Sequence, residues 1–507
     1  MWLILFALLL AVCFDAGAYK AGHLDPSFGS GRGYVTTRTG AVGNIFNGAL
    51  GITVQSDGKI VVVGAAQRTG GGYGDWDMVF VRYLAGGSVD PDFGDAGTPG
   101  IKKVQVGTGW TIGHELIIQS DGKILAVGVC QDTNEEYKIC LVRLNTNGDL
   151  DTDFGGGTGY VKQALAGNGD GFGASLAIYD NKIIVGGAVT TDGYYRFAVL
   201  RFTSTGILDT TFNPAHGTVL QPGVVYTPVV DRDAIATDLV IQSDGRIILA
   251  GGVSGSGGLK AYGLVIRYTA NGELDTSFND TGLKTLNPVS DSNAYSYSVL
   301  LQSDEKIIVT GAAGLTASSY LFAMRLKANG QEDSTFGTRG VAKKLFDGSA
   351  YEYDGVGLLQ ADGKLVLGGY IASGMATAYI VLMRFTLDGQ LDPSFGTDGL
   401  VTTSGIGFGS VLLALEKQAD GKIVACGGNG QNVAVRTPAV QADVLVLRYL
   451  NLPSAISSAE IAQAKTLAPL ICLGDSNVDS AVNFYNTFTQ KYDDFLTTSS
   501  VGLACRS

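Results

Sequence analysis

Apolar and polar positions follow one another in short alternating runs along most of the chain, and the runs return in a fixed order. The stretch from Gln55 to Gly94 shows the unit. Lys59 to Ala65 and Met78 to Leu84 are rich in Val, Ile, Phe and Tyr and are bounded by Gly and Asp, so each predicts a β-strand. Leu50 to Val54 before them and Ile101 to Val106 after them make a group of four. Such a group forms one small antiparallel sheet, which cannot bury both of its faces without neighbours.

Three landmarks show that the unit occurs seven times. A hairpin-turn aspartate falls at Asp57, Asp121, Asp180, Asp244, Asp304, Asp362 and Asp420, mostly followed by Gly, which supplies the positive φ that a tight two-residue turn demands. A third-strand arginine falls at Arg82, Arg143, Arg201, Arg267, Arg325, Arg384 and Arg448. A Leu-Asp-x-x-Phe-Gly element places Phe28, Phe93, Phe154, Phe212, Phe278, Phe336 and Phe395, with Asn213 and Asn279 standing where the other copies have Gly. The third copy, with Ile178-Tyr179-Asp180-Asn181, and the fifth, with Glu305 in place of Gly, depart most at the turn. Seven sheets arranged radially bury their faces against one another and leave only short edges. The expectation is therefore an all-β, seven-bladed β-propeller of four-stranded antiparallel blades over residues 19–450. Strands A to D of each blade run from the channel outward.

One spacing predicts how the ring closes. An aspartate lies eight residues after six of the arginines, giving Arg82–Asp90, Arg143–Asp151, Arg201–Asp209, Arg267–Asp275, Arg325–Asp333 and Arg384–Asp392. Arg448 has Ile456 at that place, and Asp25 is left over. Arg448 is thus expected to pair with Asp25, the strand Tyr34 to Thr37 completing the seventh blade.

These repeats are similar to the delta-60 repeat family, bacterial tandem repeats of uncharacterised role, over Leu24 to Leu450. The resemblance implies a β-propeller and attaches no catalytic residues to it.

The two ends fall outside the repeat. Met1 to Ala18 has an apolar core and the small-x-small end Ala16-Gly17-Ala18, which predicts a cleaved signal peptide and a secreted, periplasmic or cell-surface protein. No other stretch suits a membrane span. Beyond Pro453 the periodicity changes, and Ala455 to Leu467 and Val478 to Phe495 predict helices in a C-terminal extension over 451–507. Cys472 and Cys505 flank that tail and are the expected disulfide. Cys130 and Cys140 share a hairpin, and a bond between them is expected only if the register sets them directly opposite. Cys426 reads as a small buried side chain.

Composition narrows the chemistry. With 47 acidic against 35 basic side chains and no Lys/Arg run, a nucleic-acid partner is disfavoured. The three histidines, His23, His114 and His216, occupy unrelated positions in their copies, so no His-based metal site or triad is expected. Asp149, Asp151 and Asp153 alternate as calcium ligands do, yet Asp151 belongs to the arginine rule and no EF-hand completion follows. Ile471 to Asn477 resembles the nucleophile block of GDSL-type esterases without the domain that family needs after it. The Ser-Asp-Gly turns resemble sialidase Asp-boxes but lack their aromatic residue, and the repeated arginines read as scaffold. No cofactor, metal or catalytic residue is expected.

The A–B turns and C–D elements are nearly uniform, while the B–C and D–A loops vary and share the opposite face, where recognition is expected. Phe46, Trp110 and Tyr351 stand nine residues before the first position of their A–B turns, and Tyr73 and Trp76 lie on a neighbouring loop. Such aromatics suit sugars or peptide segments, and plugging of the channel is the structural alternative. The function read from the sequence is a monomeric binding or scaffold module for a protein or glycan. The competing class is a polysaccharide hydrolase or lyase. Two or three acidic side chains around the axis with raised pKa values favour the enzyme, an aromatic or neutral mouth the binder.

Overall fold

The computed structural model describes residues 21–40, 48–68, 75–132, 136–166, 169–213, 219–229, 231–256, 258–315, 318–347, 351–372, 378–406, 409–430 and 442–451. Within them the chain folds as a seven-bladed β-propeller of four-stranded antiparallel blades. The first blade contains Gly48–Val54, Ile60–Gln67, Trp76–Tyr83 and Ile101–Val104 as strands A to D. Blades 2 to 6 repeat this order, with strands A at Thr111–Ile118, Gly171–Tyr179, Ala234–Ile241, Asn293–Leu301 and Tyr351–Leu359. Blade 7 holds Ser410–Lys417, Ile423–Gly430 and Ala442–Tyr449, and its fourth strand is Tyr34–Thr37 from the other end of the chain. Blade 3 departs from the expected four by carrying an extra outer strand, Val219–Gln221.

Strands B and C are buried on both sides, which is why they read as unbroken apolar runs such as Ile60 to Ala66. Among the described residues seven apolar clusters fill the ring, each shared by two adjacent blades. Val61, Val63, Met78 and Phe80 of blade 1 pack on Leu116, Ile124 and Ala126 of blade 2. At the seam, Val62, Val79 and Val81 meet Val424, Val444 and Val446 of blade 7. Every blade therefore buries its faces on its neighbours, as the small sheet requires.

The closure is longer than one strand. Tyr34 to Thr37 pair antiparallel with Leu447 to Val444. Upstream, Leu450 N–H donates to His23 O, Gly22 N–H to Leu450 O, and Gly396 N–H of blade 6 to Ala21 O. Residues 21–37 thus tie down blades 6 and 7 together.

The usual A–B turn has a three-residue loop rather than the two-residue one expected: Gln55 N–H donates to Lys59 O around Ser56-Asp57-Gly58, with Gly58 at φ 82°. In the fifth copy Glu305 adopts the same conformation at φ 62°. Its carboxylate accepts from Gln242 Nε2 and Ser243 Oγ of blade 4, a compensation that glycine cannot make. Only the third copy has the two-residue turn, with Asp180 at φ 47° and Asn181 at φ 56°.

The cysteine expectation needs correcting. Cys130 lies opposite Lys138 and Cys140 opposite Gly128, so the two cysteines are diagonal neighbours, yet they form a disulfide with Cα atoms 5.9 Å apart. A diagonal pair on one face of a twisted hairpin comes within bonding range, which direct opposition alone does not anticipate. Cys426 is buried and free. Met1 to Ala18, the extension beyond Asn451, and Cys472 with Cys505 lie outside the described residues, and no described helix is long and apolar enough to cross a membrane.

Candidate functional site

The turn face is a ring of buried charge. Each third-strand arginine donates Nε to its aspartate at 2.6–2.9 Å, including Arg448 to Asp25 at 2.7 Å. Each guanidinium also lies 4.5–4.8 Å from the ring centre of its copy's Phe. Its Nη1 reaches the next blade, as from Arg82 to Thr146 O, Arg143 to Ser204 O and Arg448 to Ala85 O. The Phe ring lies under a glycine of that blade: a Cβ on Gly148, at φ 92°, would come 2.9 Å from Phe93. A lysine or arginine at the entry to strand B adds a second cation to the same carboxylate, as Lys123 does to Asp151 at 2.8 Å. These charges are saturated by one another, so this face is scaffold in six of the seven copies.

The loop face differs. Counting back from the A–B turn, the position held by Phe46, Trp110 and Tyr351 is held in blades 3, 4 and 5 by Asp170, Asp233 and Asn293. Those three side chains cap an N–H at the entry to the preceding blade's strand C, at Tyr137, Tyr195 and Ala261, each at 2.9 Å. Trp110 offers no acceptor to the blade before it. Its indole instead stacks on Trp76 at the start of that blade's strand C, with centroids 5.1 Å apart and planes 29° off parallel. Tyr137 follows, 5.9 Å from Trp110. All three rings are half-buried, and they form one platform across blades 1 and 2. Around it stand Arg68, bonded to Asp77 at 3.0 Å, and Glu136, paired with Lys138 at 2.7 Å. Phe46 and Tyr73 lie outside the described residues. Tyr351 opens strand A of blade 6, opposite Ala372. Tyr137 was missed by the sequence reading; its signal is the repeat itself, six residues before Arg143 as Trp76 is before Arg82.

A second cluster lies on the innermost strands, where each strand A bulges, as between Gly113 and Glu115 or Ala236 and Asp238. The residue after the bulge is Glu115, Ser175, Asp238 and Ser298 in blades 2 to 5. Each accepts a backbone N–H from strand A of the next blade: Leu176 to Glu115 at 2.7 Å, Leu239 to Ser175 at 3.2 Å, Val299 to Asp238 at 2.8 Å and Gly357 to Ser298 at 3.3 Å. Ser175 Oγ also donates to Asp238 Oδ1 at 3.0 Å. This belt of side-chain bonds runs around more than half of the inner wall. Gly51, Val356 and Ala414 leave it open elsewhere. Glu416, on strand A of blade 7, accepts from its neighbour Lys417 N–H.

Enclosure inside the ring shifts these acids. Burial, and then the Asp238 charge, push Glu115 up to about 8 against its hydrogen bonding with Ser175 and with Leu176 N–H. Burial pushes Asp238 up to about 6, and Glu416 is also raised by burial. Of the two, Glu115 is raised the more, so the pair keeps a proton to higher pH than the same groups do in the unfolded chain. His114, whose Nδ1 bonds Gly173 O at 2.7 Å, is lowered by burial and stays neutral. A carboxyl group with a raised folded-state pKa holds a proton that the unfolded chain has lost, so stability falls as pH rises between the two values. For Glu115 that window runs from about 4.5 to about 8. The expected result is a melting temperature that declines from pH 5 to pH 8, with a loss on the order of a few kcal/mol. Glu115→Gln flattens the decline in thermal melts across that range. A decline unchanged in the variant contradicts the assignment.

Other expectations find plain places. Asp151 is taken by Arg143 and Lys123, and Asp149 by Asn147 Nδ2 at 2.7 Å. Among the described residues no group of three or more His, Cys, Asp or Glu is arranged to hold a metal. His216 and Ile471 to Asn477 lie outside them.

Fold and site together define a tandem-repeat β-propeller closed by its own N-terminal strand. Residues 55–93, 119–154, 180–212, 242–278 and 360–395 match the family model described as "Domain of unknown function (DUF5122) beta-propeller". No curated protein matches the chain. Among solved structures it is similar to a protein of unknown function from Dyadobacter fermentans, at 12% identity and a TM-score of 0.39 over 82% of this chain and 100% of that one. It is also similar to a polysaccharide lyase of family PL25, an ulvan lyase, at 11% identity and a TM-score of 0.45 over 85% and 99%. A GH43 endo-arabinanase from Bacillus licheniformis follows at 13% identity and 0.31 over 54% and 92%. Likeness this distant says nothing about function.

Proposed function

We propose that the chain is a delta-60-type propeller that works as a secreted or cell-surface binding module, a monomer recognising a glycan or protein segment on its variable face. The observation that carries the reading is the Trp76–Trp110–Tyr137 platform, three rings side by side where other blades use a carboxylate or amide to cap a strand. Half-buried aromatic faces bordered by hydrogen-bonding groups bind flat apolar surfaces such as sugar rings. The Cys130–Cys140 bond supports an oxidising compartment after removal of residues 1–18. Screening on glycan arrays and by pull-down identifies the ligand. Trp110→Ala is expected to weaken its binding at least about tenfold, or about 1.4 kcal/mol, with the melting temperature little changed. Undiminished binding by that variant removes the platform from the reading.

A second reading, a polysaccharide hydrolase or lyase, draws on the raised pKa values of Glu115 and Asp238. Against it, Asp238 has both oxygens bonded to Leu239 and Val299 N–H and Glu115 is bonded to Leu176 N–H, which spends these groups on joining blades. Turnover of a polysaccharide that Glu115→Gln abolishes, without loss of folding, decides for the enzyme.

A further inference from the structure

The repeat supplies its own controls for the one place where the turn face breaks its pattern. In six copies the A–B turn opens on glutamine, and in five of them, Gln55, Gln119, Gln302, Gln360 and Gln418, the carboxamide oxygen is buried and accepts no hydrogen bond. In the fourth copy Gln242 Oε1 accepts from Arg267 Nη1 at 3.3 Å. The third copy has Tyr179 there, in a turn one residue shorter. The Tyr179 ring is 37% exposed and lies against Gly245 of blade 4, where an added Cβ would meet Cε1 at 2.9 Å. The space that glutamine fills elsewhere is a cleft of about 290 Å³ between blades 3 and 4, lined by Ile184, Ile241 and Ile247 and by Lys182, Arg201 and Asp209.

The loss of glutamine also uncovers the arginine. Arg201 is 14% exposed, against 2–8% for the six equivalent side chains. It gives Nε to Asp209, Nη1 to Ala270 O and Nη2 to Thr211 Oγ1. A guanidinium carries five N–H groups, so two remain for a ligand. Lys182 Nζ stands 3.1 Å from Asp209 and has further donors of its own. Two cations face one buried carboxylate, and Asp180 on the rim is exposed to solvent, where water and salt screen it.

We propose that this cleft binds a small carboxylate, one oxygen taking beside Arg201 the position that Gln242 Oε1 holds beside Arg267, and the apolar body lying on the three isoleucines. The volume is at the lower edge of small-molecule sites, which selects a single compact molecule over a polymer. The site is on the turn face and independent of the aromatic platform.

Benzoate, a carboxylate on a ring, is a suitable probe, with benzyl alcohol as its uncharged counterpart, both titrated onto the whole chain by calorimetry and ligand-observed NMR. Benzoate is expected to bind at least tenfold more tightly than benzyl alcohol. Exchanging Tyr179-Asp180-Asn181 for the Gln-Ser-Asp-Gly found at Gln242 to Gly245 refills the cleft and is expected to weaken benzoate at least tenfold. If that exchange does not fold, Tyr179→Gln, which alters an exposed ring, is measured instead and is expected to weaken benzoate at least threefold. No benzoate binding, equal binding of benzyl alcohol, or wild-type affinity in a folded variant overturns the proposal.

Discussion

A chain lacking residues 21–37 is expected to yield no folded monomer and to elute from a sizing column as aggregate. The deletion uncovers the strand Ala442–Tyr449, whose Val444 to Leu447 are hydrogen-bonded to Thr37 to Tyr34 in the intact ring. It also removes Asp25 and Phe28, and it frees Gly396 N–H of blade 6 from Ala21 O. A bare, flat, apolar edge is a template for pairing with another copy. Unlike an open solenoid, which tolerates a lost end repeat, a closed ring has no end to lose. Deletion of the D strand of an interior blade would leave an edge within a ring still joined on both sides. The seam deletion leaves blade 7 joined to the chain on one side only. Recovery of a monomer with a native melting transition would mean that the seam contributes little.

Arg448→Met is expected to cost about 3–5 kcal/mol, read as a shift in the urea midpoint, because it leaves the buried Asp25 carboxylate without its main partner. The guanidinium joins several elements at once: Asp25 and Ser27 Oγ of the N-terminal segment, the Phe28 ring, and Ala85 O of blade 1. Asp25→Asn is expected to cost less, since Ser27 N–H and Oγ–H still find an acceptor in the amide. Replacing both partners by apolar residues is expected to cost less than the two single changes added, the signature of a coupled pair. The Asp25 carboxyl titrates below the ordinary range. Burial pushes it up, but hydrogen bonds from Ser27 and the charges of Arg448 and Lys422 outweigh that effect. Its contribution is therefore present above about pH 4 and lost as pH falls through the depressed value. Arg448→Met should show its full cost at pH 6 and a smaller one in strong acid.

The parts of this architecture that a linear reading found are those that recur. Strands B and C are buried on both faces, so Ile60 to Ala66 stays apolar whatever the neighbouring loop does. The Arg448–Asp25 contact is legible because six other copies fix the spacing, and the two residues without local partners have only each other. What eluded the sequence depends on a bulge. Glu115, Ser175, Asp238 and Ser298 are four different-looking residues at one structural position, and no motif announces that a bulge frees an N–H for each to accept. Lining the copies up on the turn aspartate brings three of them into register, six residues before it. Ser175 slips by one because its turn is shorter. In the sequence this copy shows only a departure at the turn, whereas in the fold the shorter turn goes with the cleft beside Arg201. Trp110 was noticed as an aromatic, but its contrast with Asp170, Asp233 and Asn293 shows that the position is a strand cap which blade 2 has given up for stacking.

Closure by the N-terminal segment is the claim on which both faces depend, and a disulfide trap across it is the most direct check. Arg38, just after Thr37, and Asp443, just before Val444, are the next positions beyond the Thr37–Val444 pair, with Arg38 Nε 3.6 Å from Asp443 Oδ1. Arg38→Cys with Asp443→Cys, oxidised mildly and digested, should give a cross-linked peptide joining residues 38 and 443, without loss of the melting transition. A folded variant in which, after the same oxidation, those two cysteines bond elsewhere or remain free would contradict the ring.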